Sequence, residues 1–235
     1  MKRYRTKNKK RRALKWMSLT GVIIGILMMI YPFISDGIMR RRNEGAISVM
    51  ASSTVTYDKD GKTGELLLQA EKYNRALAEE NDAKEGSILP YLDQLAMPGT
   101  AGMAYLEIPK LNIRMVIYHG TTPEVLSAGV GHIEGTSLPV GGENTHCALT
   151  AHSGLRSMRA FDNLEKMEEG DRFYVTTLGL RLAYEVRSME IVLPYETDSL
   201  RIIPGEDWMT LITCTPYGVN DHRLLVHGQR IPDSE

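Results

Sequence analysis

Cysteine is scarce in this 235-residue sequence: there are two, Cys147 and Cys214, with no CxxC pair and no clustered His/Cys set. That argues against a structural zinc site, whose ligands come in such spacings. Two thiols can form one disulfide, or one can be reactive while the other is packed, and spacing alone leaves both open. Basic residues also run short after position 45, where residues 46–235 hold 16 Lys/Arg against 27 Asp/Glu, a net of −11 in a chain whose formal charge is −1. A nucleic-acid-binding domain gathers basic side chains on one face, and none is gathered here. Internal repeats and low-complexity segments are absent too. What remains is an ordinary globular composition, long enough for one domain with a real core plus appendages.

The missing basic residues sit at the N-terminus. Nine Lys/Arg precede Trp16, and WMSLTGVIIGILMMIYPFIS follows, with Arg40, Arg41 and Arg42 beyond Asp36. About 20 mainly apolar residues suffice for a helical membrane span. The stretch is long for a cleaved signal, so residues 1–15 are expected to be a cytoplasmic basic tail and 16–35 a retained single-pass anchor, with the rest of the chain extracellular.

Residues 36–62, polar and turn-rich, suit a tether. Glu65–Glu80 then spaces Leu66, Ala70, Tyr73 and Leu77 at helical intervals, so residues 63–102 are expected to supply an amphipathic helix and a loop with a short helix. From Met103 the pattern turns to short β segments punctuated by Pro, Gly and Asn: 104–108, 114–118, 146–151, 172–177, 180–193, 208–213 and 223–230. Thr122-Pro123-Glu124 predicts a short helix start, and 160–167 another. The expected fold is mainly β, a barrel-like domain over 103–231 braced by the preceding helix, with 232–235 as a tail.

Chemistry concentrates in two places. In TLITCTPYGVNDHRLLVHGQR, residues 210–230, one β run ends at Cys214 and a second opens at Arg223 across a Pro/Gly/Asn loop. Antiparallel pairing would bring a strand-end thiol beside a guanidinium that can favour the thiolate or hold an oxyanion. Taken alone, a cysteine is more often a small buried hydrophobe. In LTAHSGL, residues 149–155, an apolar strand reaches His152 and turns at Ser153-Gly154, placing an imidazole where it could exchange protons with a leaving amine. His119, His132, His146, His222 and His227 compete, and His222 beside Arg223 is the strongest rival.

TLITCTPYGVNDHR resembles the TLxTC signature of sortases, and with LTAHSGL, IEGTSLPVGG (133–142) and AYLEIPKLNIRMVIYHGT (104–121) the chain resembles class C, pilin-polymerising sortases from about Tyr73 to Arg230. The resemblance implies an eight-stranded sortase-type β-barrel and a cysteine transpeptidase without metal or organic cofactor. Cys214 would be the nucleophile, His152 the acid and base, and Arg223 the holder of the substrate carbonyl or oxyanion. The implied partners are pilins or surface proteins bearing LPXTG-like sorting signals, and the lysine of a pilin subunit as acceptor. A wall-anchoring sortase using a cell-wall precursor amine, or an inactive surface scaffold, are the competing readings. Asp221 is read as a loop acid, since the family needs no carboxylate to orient its histidine. A papain-like hydrolase is disfavoured because His152 precedes Cys214.

Three features depart from the class C pattern. Asn81–Gly86 has neither proline nor aromatic where an Asp-Pro-aromatic lid is expected, no second apolar span follows the barrel, and Ser153 stands where arginine often follows the histidine.

Overall fold

The computed structural model describes residues 2–53, 61–79, 88–97, 99–153 and 160–233. The stretch Asn81–Gly86, where a class C lid is expected, lies outside them.

Eight strands close into a barrel in the order β1-β2-β3-β4-β7-β8-β6-β5. They are β1 (Ala104–Ile108), β2 (Ile113–His119), β3 (Val130–His132), β4 (Thr145–Thr150), β5 (Arg172–Thr177), β6 (Leu180–Val192), β7 (Asp207–Thr215) and β8 (His222–Ile231). Seven match the β runs expected from β-rich segments punctuated by Pro, Gly and Asn. The eighth, β3, has only three residues, Val-Gly-His, too few to show a period of two.

Alternation sorts each strand into two faces. Cys147, Leu149, Met209, Leu211, Leu224 and Val226 enter the main core, whereas Ala148, Ile212 and Leu225 form a second apolar cluster with Ile133, Val192 and Leu200. The second cluster is the outer face of the β4–β7–β8 sheet, and it is roofed by the β6–β7 connection through Leu200. Between β2 and β3, Pro123–Ala128 forms helix α3, opened by Thr122, whose hydroxyl accepts from Val125 N, and by Pro123 in the first turn. The second expected short helix reduces to a 3₁₀ turn at Leu164–Lys166.

Two helices precede the barrel, α1 (Lys2–Ser53) and α2 (Lys62–Ala78). The tether expected over 36–62 is helical as far as Ser53 and docks on the barrel, with Ile47 and Met50 buried. Asn43 fastens it: its Nδ2 donates to Arg114 O at 2.6 Å and its Oδ1 accepts from Val116 N at 2.9 Å. Strand β3 pairs with β2 only from Ile117 onward, so this amide satisfies an edge the short strand leaves open. In α2, Asn74 does the same for Leu138, bonding its carbonyl at 3.1 Å and its N–H at 2.7 Å.

The expected single-pass anchor over 16–35 is not supported. Among the described residues no helix is long and apolar enough to cross a membrane. The membrane placement and the extracellular orientation built on that span fall with it.

Candidate active site

Cys214 and Arg223 are direct cross-strand partners in the antiparallel β7–β8 ladder. The turn joining them carries Gly218 and Asn220 at positive φ, a conformation glycine and asparagine tolerate best. Nη1 of Arg223 donates to the carbonyls of Asn220 (3.1 Å) and His222 (2.9 Å). The turn thus orients the guanidinium. Nε and Nη2 have no hydrogen-bond partner among the described residues, which leaves a side of the fork for a substrate oxygen.

His152 arrives from the other flank of Cys214. Strand β4 runs parallel to β7 with Thr150 opposite Ile212, so the residues after β4 continue toward Cys214. The last backbone bond is Ala151 N to Ile212 O at 3.2 Å. Beyond it side chains take over: Thr150 Oγ1 donates to Ile212 O (3.1 Å), Thr213 Oγ1 to Ala151 O (3.0 Å) and Ser153 Oγ to Cys214 O (3.0 Å). The carbonyl of His152 accepts from Phe161 N at 3.1 Å. His152 is therefore held on both sides against the strand end that carries the thiol. None of these three hydroxyl clasps was expected, though the alternation of TLITC would have shown that Thr213 and Cys214 face opposite sides.

Both cysteines are free thiols, so the disulfide alternative does not hold. Cys147 lies in the barrel interior, where burial pushes its thiol well up, while Cys214 is half-buried at the sheet end. The competing histidines are committed elsewhere. His132 is buried, bonded to Tyr91 Oη through Nδ1 (2.9 Å) and to Ser137 O through Nε2 (2.9 Å), and desolvation lowers it to about 4. His119 Nε2 donates to Gln94 O at 2.8 Å, so that nitrogen carries the proton, and burial lowers the ring's pKa. His146 and His227 both bond Thr210 Oγ1. His222 is half-buried and pairs with Asp221 at 2.9 Å, which holds that carboxyl below its usual range. Asp221 thus serves His222, in keeping with its reading as a loop acid. Among the described residues no group of His, Cys, Asp and Glu is arranged to hold a metal ion.

The arrangement is a half-exposed thiol, an imidazole from the next strand and a guanidinium opposite, on one sheet edge. It can carry nucleophilic acyl transfer with proton relay and charge stabilisation. Comparison with known proteins agrees. Residues 106–231 match the family model described as "Sortase domain". Sortase C1 of the GBS pilus island 1 is 39% identical and superposes with a TM-score of 0.73, over 82% of this chain and 94% of its own. The sortase C of Clostridium perfringens, solved with the C-terminal cell wall sorting motif, is 41% identical with a TM-score of 0.67, over 79% and 99%. Among curated proteins, Sortase D of Bacillus subtilis is 28% identical over 129 residues, 54% of this chain, and the match spans 62% of its length.

Proposed function

The chain belongs to the sortase family, and from that premise we propose that it cleaves an LPXTG-like sorting signal between Thr and Gly and transfers the acyl group to a pilin lysine amine. The observation that carries this is the register that sets Arg223 directly opposite Cys214 while three hydroxyl clasps hold His152 on the neighbouring strand. A sorting motif in the C. perfringens relative and a pilus island for the streptococcal one support the donor and acceptor classes.

In this reading the Cys214 thiolate attacks the Thr carbonyl carbon, and the negative charge passes to the carbonyl oxygen, where the Arg223 donors meet it. Collapse of that intermediate breaks the C–N bond, and His152, as imidazolium, gives its proton to the departing glycine amine. The thioacyl enzyme remains. Neutral His152 then takes a proton from the incoming lysine amine as it attacks the thioester, and the thiolate leaves with an isopeptide bond formed. Incubating the protein with a pilin bearing the sorting signal tests both halves: a covalent acyl enzyme on Cys214 is expected, followed by a ladder of pilin multimers. An acyl enzyme that yields no ladder, but transfers to a small cell-wall-type amine, would replace the pilin acceptor with a wall precursor.

A further inference from the structure

The outer face that ends at Cys214 holds a second polar group further along the same strands. His146 Nδ1 bonds Arg201 O at 2.9 Å and its Nε2 bonds Thr210 Oγ1 at 2.7 Å. Thr210 Oγ1 bonds His227 Nδ1 at 2.8 Å, and His227 Nε2 bonds Glu190 Oε1 at 3.1 Å. The chain crosses four barrel strands in one line, from β4 through β7 and β8 to β6. His146, Thr210 and His227 are all buried, so each link counts.

Hydrogens can be counted along it. Four links need four hydrogens, because each joins two heavy atoms through one proton. The carbonyl of Arg201 and the ionised carboxylate of Glu190 supply none. Thr210 supplies one, and two neutral imidazoles supply one each, which makes three. We infer that the His146–Thr210–His227–Glu190 chain holds one extra proton, as an imidazolium, and that this proton fastens the β6–β7 connection over the sheet face leading to Cys214.

The proton has two places to sit without breaking a link. With His227 charged, it donates to Glu190 and Thr210, and Thr210 donates to neutral His146. With His146 charged, the Thr210 hydroxyl turns round and donates to His227. Burial lowers His146, with the neighbouring His227 adding to this and the bond to Arg201 O opposing it, and the ring that lies against a carboxylate is His227, its Nε2 3.1 Å from Glu190 Oε1. Glu190 is itself held below the usual carboxyl range by Ser199 and His227, so it does not supply the fourth hydrogen. The other charged groups around the chain are engaged apart from it: Asp198 pairs with Arg201, and Glu206 accepts from Trp208 and Gln229. Glu134 of the β3–β4 loop and Glu71 and Arg75 of α2 line the groove beside His146 without bonding either ring.

What the chain fastens is the 3₁₀ turn Asp198–Leu200 and the residue after it. Ser199 is bonded by Glu190, Leu200 packs on the cluster of Ala148, Ile212 and Leu225, and the Arg201 carbonyl is bonded by His146. Ile212 and Leu225 each lie two positions from Cys214 and Arg223 along β7 and β8. The turn therefore forms a wall on this sheet face, two positions along the strands from Cys214 and Arg223. Losing the extra proton at higher pH removes one of the four links and loosens that wall, so Thr210, His146, His227 and Glu190 are positioning residues for the donor strand, a role that rests on the function proposed above.

The test uses the full chain and needs no turnover. Hydrogen-exchange protection of residues 198–203, corrected for intrinsic rates and referenced to β5, is expected to fall about tenfold between pH 6 and pH 9 on loss of one charge-assisted bond. Glu190→Gln brings its own N–H as the fourth hydrogen, so protection in that variant should be the same at both pH values. Thr210→Val should be poorly protected at both. Ring nitrogen NMR at pH 6 should show one imidazolium between His146 and His227 in the wild type and none in Glu190→Gln. Two neutral rings in the wild type, or a Glu190→Gln variant that keeps the wild-type pH dependence, overturns the inference even if Thr210→Val fails to fold. For the donor role, Thr210→Val should raise KM for a sorting-signal peptide several-fold with kcat little changed, and an unchanged KM overturns that role alone. A wild type that forms no acyl enzyme would overturn the proposed function while leaving the proton count intact.

Discussion

The barrel interior and the outer face of the β4–β7–β8 sheet are made from alternate residues of the same strands, yet they hold the two thiols under opposite conditions. Cys147 is 3% exposed inside, where no charge offsets the loss of water around a thiolate, and its proton is held tightly. Cys214 sits on the outer face at a strand end, with a guanidinium across the ladder and an imidazole beside it. Residue type is the same in both places. Position along and across the sheet sets the two sulfurs apart, and the histidines differ in a similar way: His132, His146 and His227 have both ring nitrogens bonded, whereas His152 is held by its backbone.

The sharpest way to break this comparison is to remove each thiol in turn. Cys214→Ala should abolish the acyl enzyme, read by intact-protein mass with a sorting-signal peptide, whereas Cys147→Ala should retain most activity, because its thiol only fills core volume. The reverse outcome would move the chemistry inside the barrel. Next in size is Arg223→Lys, which keeps the charge but loses the planar fork that the Asn220 and His222 carbonyls orient. Turnover should drop on the order of a hundredfold with the fold intact. Near-wild-type kcat/KM would remove Arg223 from the charge-holding role.

The buried histidines sharpen the same contrast through pH. His132 is lowered to about 4 by burial, against an ordinary value near 6.5. The unfolded chain therefore takes up a proton first as pH falls. Stability from its neutral form is fully present above about pH 6.5 and is lost on the way down to about pH 4, at a cost of about 2 kcal/mol by pH 5. Urea midpoints at pH 7.5 and pH 5 should differ accordingly, and His132→Gln should shrink the difference. An unaltered difference would assign the acid sensitivity to other groups.

Much of this was legible beforehand. Runs such as TLITC and RLLVHGQR are rich in strand-forming residues and bounded by turn residues, and the turn between Cys214 and Arg223 foretold their pairing. The docking of α1 was not legible, because it depends on Asn43 reaching an edge left open by β3, and a polar residue in a polar stretch carries no sign of a partner 71 positions away. The apolar run at 16–35 misled in the other direction, since composition alone suggested a span, and among the described residues no helix is long and apolar enough to cross a membrane. The histidine chain was hidden for a related reason: His146, Thr210, His227 and Glu190 come from four strands, and only the barrel order sets them in line.

The smallest effect comes from the hydroxyl clasp, and it asks whether the active edge is held as firmly as the interior. Ser153 donates to the backbone carbonyl of Cys214, the proposed nucleophile, at 3.0 Å. A neutral hydrogen bond at a half-buried site contributes about 1 kcal/mol. Since it ties the residue after His152 to the residue bearing the thiol, its loss changes the relative placement of the two groups more than the binding of donor. Ser153→Ala should therefore lower kcat about fivefold, with KM nearly unchanged and urea stability lower by about 1 kcal/mol or less. Thr should rescue where Ala does not, because it restores the hydroxyl. If Ser153→Ala instead raises KM and leaves kcat alone, the hydroxyl faces the donor pocket, and the clasp on His152 rests on Thr213 and Thr150 only.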